Sequence, residues 1–298
     1  MKIKKTPGKI IFDIFNYMVL ITASLLCVLP FVHLLAISLS DVAAVSAGRV
    51  TFWPVGFCTS AYQYVVDNPK FISALLVTIK RVILGVSINL FVIILTAYPL
   101  SKSKARFKSR GFYAWFFMFT MLFFPSMIPK YLAIDRLGLI DTIWALVLPG
   151  ALPVFNMVVM MNFFRSLPPE LEEAALIDGA SQWKILTSIY IPLSKPSIAT
   201  ITLFCIVQHW NSWFDGILYM NSDSKYPLQS YLQTVVANPE MLLQSAGDDP
   251  SVIELLSLIN NQTAKAAQLF VAMIPVLLAY PFLQKHFTKG LVMGSVKG

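Results

Sequence analysis

Charge is what this chain lacks most. Of its 298 residues only 13% are charged against 57% hydrophobic, and the mean hydropathy is +0.69. A soluble domain is nearer a quarter charged, so the composition argues against a soluble globule and for a polytopic membrane protein. Acid is scarcer than base, 15 residues against 23, for a formal charge of +8. The bases lie in short clusters beside apolar runs, as orientation signals do, and no nucleic-acid partner is expected. Cysteine is nearly absent, and Cys27, Cys58 and Cys205 are too dispersed for a disulfide framework or a metal-ligand spacing. No G-x-x-x-x-G-K-[ST] phosphate loop, G-x-G-x-x-G, H-E-x-x-H or Cys/His cluster occurs. The first absence excludes an ATPase. Together they leave no catalytic constellation, cofactor site or metal site.

Long apolar runs are abundant. About 20 residues cross ~30 Å of hydrocarbon, and six segments are long enough: Phe15–Ile37, Val82–Leu100, Phe112–Ile128, Ile143–Phe164, Ser197–Leu218 and Ala266–Leu283. An all-α integral membrane protein with six transmembrane helices in one domain over 1–298 is expected, because backbone in hydrocarbon must bond to itself. Phe71–Ile79 reads as an interfacial or outer extension of the second span. Pro149, Gly150 and Pro153 predict a kinked or broken fourth span. The apolar stretch behind Lys2, Lys4, Lys5 and Lys9 is too long for a signal core and is read as a retained first span.

Basic residues orient the chain. Lys102, Lys104, Arg106, Lys108 and Arg110 follow the second span, and most of the remaining bases fall on the same side as the N-terminal lysines. Both termini are then cytoplasmic, as is residues 165–195. Residues 38–70 and 219–265 become large extracytoplasmic loops. The second holds Asp223, Glu240, Asp248, Asp249 and Glu254 and an apolar, helix-like stretch around Val252–Ile259. Loops this long suit contact with an extracytoplasmic partner.

The cytoplasmic loop at 165–195 is the most informative segment. Pro168-Pro169 can begin a helix, with Glu170, Glu172 and Glu173 in its first turn, where the helix dipole favours negative charge. Gly179 stands where glycine ends a helix in a left-handed conformation. Ser181 can cap a second short helix to about Ile189, with Trp183, Ile185, Leu186 and Ile189 facing a partner or the membrane underside. Pro192 is expected to break the chain before the fifth span. Two short helices around a glycine bend make a compact knob able to enter a cleft.

The run Glu173-Ala174-Ala175-Leu176-Ile177-Asp178-Gly179, closed by Ile189-Tyr190-Ile191-Pro192, resembles the coupling loop of ATP-binding-cassette importer permeases. Ala97-Tyr98-Pro99-Leu100-Ser101-Lys102, Leu137-Gly138-Leu139-Ile140-Asp141-Thr142, Trp210-Asn211 and the terminal Gly294-Ser295-Val296-Lys297-Gly298 are similar to the carbohydrate-uptake subfamily. The ending and Pro99 most resemble permeases for oligosaccharides from complex polysaccharides. The resemblance implies coupling to an ATPase through Glu172, Glu173, Ala174, Ala175, Asp178, Gly179, Ala180 and Pro192. It implies a second homologous permease, two ATPase subunits that bind ATP and magnesium, an extracytoplasmic binding protein, and the bacterial cytoplasmic membrane. It also implies a transport subunit rather than an enzyme.

Substrate contacts are sought in the fifth span, at Gln208, His209, Trp210, Asn211, Trp213 and Asp215. At 100° per residue Gln208, Asn211, Ser212 and Asp215 share an arc of roughly 100°. Amide and carboxylate groups suit sugar hydroxyls, and tryptophan suits ring faces. A helix–helix hydrogen-bond seam explains the same residues. Lys80 and Arg81 read as snorkelling to the interface, and His33 and His286 as structural. Met118, Met121, Met127 and the phenylalanines of the third span read as lipid-facing or packing residues. An importer of another small solute and an ion-coupled secondary transporter stay open as alternatives.

Overall fold

The computed structural model describes residues 7–123, 125–237 and 261–294. The N-terminal lysines to Lys5, the acidic residues Glu240 to Glu254, the Val252–Ile259 stretch and the segment Ser295–Gly298 lie outside the described residues, as does the side chain of His286. Every regular element among the described residues is helical. The chain divides into two compact units, residues 1–69 with 234–274 and residues 70–233 with 275–298.

In the first unit α1 (Pro7–Ser38) is one apolar helix of 32 residues. Its side chains Ile11, Phe12, Phe15 and Leu26 are exposed, as suits contact with lipid. The loop after it is ordered by local polar contacts. Asp41 caps α2 (Val42–Ser46) by accepting from the Ala43 N–H. The Ser38 hydroxyl lies 2.7 Å from that of Tyr62 on α3 (Ser60–Asp67). His33 Nδ1 contacts the Thr51 carbonyl, in keeping with a structural role.

The second unit is built on α4 (Pro69–Ser101), 33 residues and about 50 Å long at 1.5 Å per residue. Phe71–Ile79 is a continuous part of it. Its buried residues recur at three- and four-residue steps: Phe71, Ala74, Thr78, Arg81, Gly85, Asn89, Ile93, Ala97 and Leu100. That is one helical face, and it carries polar groups inward where a soluble helix carries them outward. The chain continues through α5 (Arg110–Leu122), α6 (Met127–Arg136), α7 (Ile143–Val147), α8 (Val154–Ser166), α9 (Pro169–Ile177), α10 (Gln182–Ile185), α11 (Ile191–Leu193), α12 (Lys195–Asn211), α13 (Phe214–Tyr219) and α14 (Leu228–Ala237). The last helix, α15, spans Asn261–Gly294 and belongs to both units.

The expected spans need correction at their interiors. The third helix stops at Leu122, short of Ile128, before a new helix begins at Met127. Its Met118, Met121 and most of its phenylalanines are exposed. The fourth span is broken as its prolines require: a 3₁₀ turn Leu148–Gly150 follows α7, and α8 leaves at 47°. The fifth is also broken. Its helix ends at Asn211, Ser212 is extended at ψ 124°, and α13 resumes at Phe214. By length and apolarity α1 and α4 can each cross a membrane alone, and three further bent pairs pass together, so two to five crossings stand among the described residues.

Candidate functional site

The loop at 165–195 forms the compact knob its residues call for. Pro169 opens α9, and Glu170 and Glu172 occupy its first turn. Gly179 has φ +74°, and the Ala180 and Gly179 N–H groups donate to the Ala175 and Leu176 carbonyls at 2.9 and 3.0 Å. These are the paired bonds of a glycine-terminated helix. The Ser181 hydroxyl caps α10 by accepting from the Lys184 N–H. The second helix runs from its Ser181 cap to Tyr190, close to the expected end, but widens into a π turn over Leu186–Tyr190. Pro192 lies inside the helical turn α11 rather than breaking the chain itself. The chain turns only at Ser194, where the axes change direction by 81°.

Glu172 anchors the knob. Adjacent carboxylates diverge: Glu172 is 7% exposed and Glu173 points outward. Glu172 accepts from Lys102 Nζ at 2.9 Å, Arg106 Nη1 at 2.7 Å and the Tyr190 hydroxyl at 2.9 Å. The Lys102 ammonium also sits 3.9 Å from the ring centres of Tyr98 and Tyr190, a cation–π cage. The Tyr98 hydroxyl donates to Gln182 Oε1 at 2.7 Å. Burial pushes the Glu172 carboxyl up, but the hydrogen bond and charge of Lys102, the Tyr190 bond and the charge of Arg106 together hold it below its ordinary value. Both short helices of the knob are thereby fastened to the end of α4. Lys102, Arg106, Tyr98 and Tyr190 were not singled out for this role, because pairs so distant in the chain leave no local signal.

On the knob's outer surface Ala174, Asp178, Gly179 and Trp183 are exposed, Ile177 is 87% exposed, and Ala175 and Ala180 pack partly against the core. Ile185 and Leu186, expected to face a partner or the membrane, are buried in the chain's own core.

The break at Ser212 interrupts the expected helical face, yet Gln208, His209, Ser212 and Asp215 still border one cavity, without Asn211 and Trp213. His209 and Trp210 are buried, whereas Gln208, Asn211 and Trp213 are exposed. His209 Nε2 lies 2.7 Å from Asn89 Oδ1, and the ring fills the space over Gly85. Asn89 Nδ2 donates to the Gly150 and Ala151 carbonyls, the groups that the fourth-span break leaves unpaired.

Arg81 overturns its reading as a snorkelling residue. It is 2% exposed and forms a buried ion pair with Asp215. It also donates to the Ser212 and Leu146 carbonyls, at 3.3 and 3.4 Å. Asp215 accepts further from the Ser212 hydroxyl and the Gly216 N–H. Lys80, its neighbour, is exposed. Both helix breaks are therefore capped by polar groups of α4. A cavity of about 240 Å³ lies beside them, bounded by Arg81, Gln208, His209, Ser212, Asp215 and Tyr219. Amide, carboxylate and hydroxyl groups with aromatic edges can bind a polyhydroxylated ligand there. Among the described residues no group of three His, Cys, Asp or Glu could hold a metal ion.

Comparison with known proteins places this architecture. The family described as binding-protein-dependent transport system inner membrane component matches residues 70–292. The polygalacturonan/rhamnogalacturonan transport system permease protein of Bacillus subtilis (strain 168) is 40% identical, covering 97% of this chain and 99% of that one. The galactooligosaccharides transport system permease protein of the same organism is 31% identical over 70% of this chain and 69% of that one. A crystal structure of a bacterial ABC transporter involved in the import of the acidic polysaccharide alginate has a chain with a TM-score of 0.86 and 33% identity, covering 96% of this chain and 100% of that one. On the extent of the family match and the near-complete overlap with relatives above 30% identity, the chain belongs to the binding-protein-dependent transport system inner membrane components.

Proposed function

We propose that this chain is the permease subunit of an ATP-driven importer of oligosaccharides released from complex polysaccharides. The names of its relatives support a carbohydrate over another solute. Membership of the family removes the ion-coupled secondary transporter. The subunit would cross the membrane six times with both termini cytoplasmic, pairing with a second, homologous permease. Two ATPase subunits beneath it would bind ATP and magnesium and carry out hydrolysis. An extracytoplasmic binding protein would deliver the sugar to the loops at 38–70 and 219–265.

The observation that carries the reading is the Glu172 anchor. In this scheme the exposed surface around Ile177, Asp178 and Gly179 docks into the ATPase subunit, and closure of the ATPases displaces the knob. The buried ion pairs and the cation–π cage pass that displacement to the end of α4. Lys102 directly follows the last residue of α4, and from there to Arg81 is about 30 Å along that helix, so α4 carries the motion to the polar groups capping the broken fourth and fifth spans. Alternating access requires contacts that differ between two states, and these capped breaks are where the path would rearrange. Gln208, His209, Trp210, Asn211, Trp213 and Asp215 remain the proposed pathway residues, now joined by Arg81.

The test is ATP-driven uptake of an oligogalacturonide by the complete importer in proteoliposomes, with Gly179→Val beside the native chain. A Cβ at Gly179 meets no neighbour within 4 Å, so the substitution acts only through its φ of +74°. A left-handed β-branched residue costs at least about 1–2 kcal/mol, enough to distort the docking turn. Uptake should fall about tenfold or more with undiminished amounts of protein in the membrane. Normal uptake by that variant would remove the coupling role from this loop.

A further inference from the structure

A groove of about 740 Å³ runs between the end of α4 and the loop at 165–195. One wall is apolar, formed by Leu95 and Pro99 of α4 with Leu186 and Trp183 of the loop. At its other end stand Lys102 and Arg106. Leu95 and Lys102 are seven residues apart, about 10 Å along the helix. The groove therefore passes, over the depth of a lipid headgroup region, from an apolar floor to a cationic rim.

We infer that this groove binds one anionic phospholipid of the cytoplasmic leaflet, which stabilises the seat of the knob on α4. The inference rests on the cytoplasmic placement of residues 165–195 proposed above. Charge complementarity selects the ligand. Lys102 and Arg106 share one buried carboxylate, Glu172, at the groove; Arg106 also lies 3.9 Å from the exposed Glu173 carboxylate, and its side chain is still 38% exposed. Lys104, Lys108 and Arg110 follow at once in the chain. Juxtamembrane basic clusters of this kind attract anionic headgroups. The apolar wall, continuous with α4, takes an acyl chain, and Trp183 within it supplies an aromatic side chain of the kind enriched at membrane interfaces. A soluble protein segment would have to reach the depth of Leu95 to fill the same space.

The test uses the complete importer in nanodiscs of phosphatidylcholine, with and without phosphatidylglycerol. Native mass spectrometry should find phosphatidylglycerol retained by the native complex. Retention should be about fivefold weaker for Arg106→Gln. It should also weaken for Leu95→Trp, which fills the apolar wall and leaves the ion cluster intact. Coupled ATPase activity should rise with phosphatidylglycerol in the native complex and lose that dependence in both variants. Equal retention of the zwitterionic lipid, or undiminished phosphatidylglycerol in both variants, overturns the proposal. So does quantitative cross-linking of Trp183→Cys to the ATPase subunit with no lipid retained, which would assign the groove to protein. Retention is read without transport, so a failure of sugar uptake and a failure of lipid binding are told apart.

Discussion

Glu172 shows how much of the knob rests on one side chain. It is buried with two cations and a phenol on its two oxygens, so its neutral isostere leaves the Lys102 ammonium buried without a counter-charge. Removing one partner of a buried pair costs about 3–5 kcal/mol, and Glu172→Gln should lower the thermal midpoint of the purified chain at neutral pH. The pH dependence has a definite sign. The folded pKa of Glu172 is depressed, so the stabilisation is complete above the unfolded value of about 4.3. It is lost as pH falls through the lower, folded value. The midpoints of native and variant protein should converge in acid; a gap that persists or widens there would assign the effect to packing. Gly179 and Ser181 were legible in the sequence because caps are local. That Glu172 points inward and Glu173 outward was not, since the Lys102 ammonium and the Tyr190 hydroxyl that hold Glu172 inside lie 70 and 18 residues away in the chain.

At the scale of elements α4 is the organising helix. Its apolar length was legible in the sequence, but its buried stripe was not, because Thr78, Arg81 and Asn89 belong to it only through the partners that the fold supplies. The contact with the fifth span depends on Gly85, where an added Cβ would lie 2.4 Å from His209 Nε2. Gly85→Ala should therefore destabilise by about 1–3 kcal/mol. In the Gly85→Ala background His209→Ala should cost at least about 1 kcal/mol less than in the native chain, because the clash leaves with the ring. Additive effects in that double-mutant cycle would contradict the close packing. The break in the fourth span was legible from Pro149, Gly150 and Pro153. The break at Ser212 was not, for no proline or glycine marks it. It persists because Arg81 takes the Ser212 carbonyl and Ser230 takes that of Trp213. A single helical projection through Asp215 therefore misplaced Asn211, while Gln208, Ser212 and Asp215 do border one cavity.

For the whole molecule the orientation proposed from the basic residues has a direct check. Trp53 and Ile177 are exposed at 80% and 87% and lie on opposite sides of the membrane in the proposed arrangement. In a chain with Cys27, Cys58 and Cys205 replaced by serine, Trp53→Cys should react with an impermeant maleimide in intact spheroplasts. Ile177→Cys should react only in inside-out vesicles, and assembly with the ATPase subunits should protect it. Labelling of Ile177→Cys from outside would reverse the topology and with it the coupling assignment.

Composition and apolar length by themselves determined the membrane class and the helical architecture, and the residues of the Gly179 loop carried the resemblance to the importer family. The first two depend on local chemistry: apolar length against hydrocarbon thickness, and backbone that must bond to itself there. Tertiary structure alone decided which polar residues are buried and what they hold. Lys102 with Glu172, Arg81 with Asp215 and Asn89 with the broken fourth span are pairs distant in sequence. Their partners exist only once the helices pack, because a buried charge or carbonyl is satisfied by whatever the fold brings within hydrogen-bonding reach.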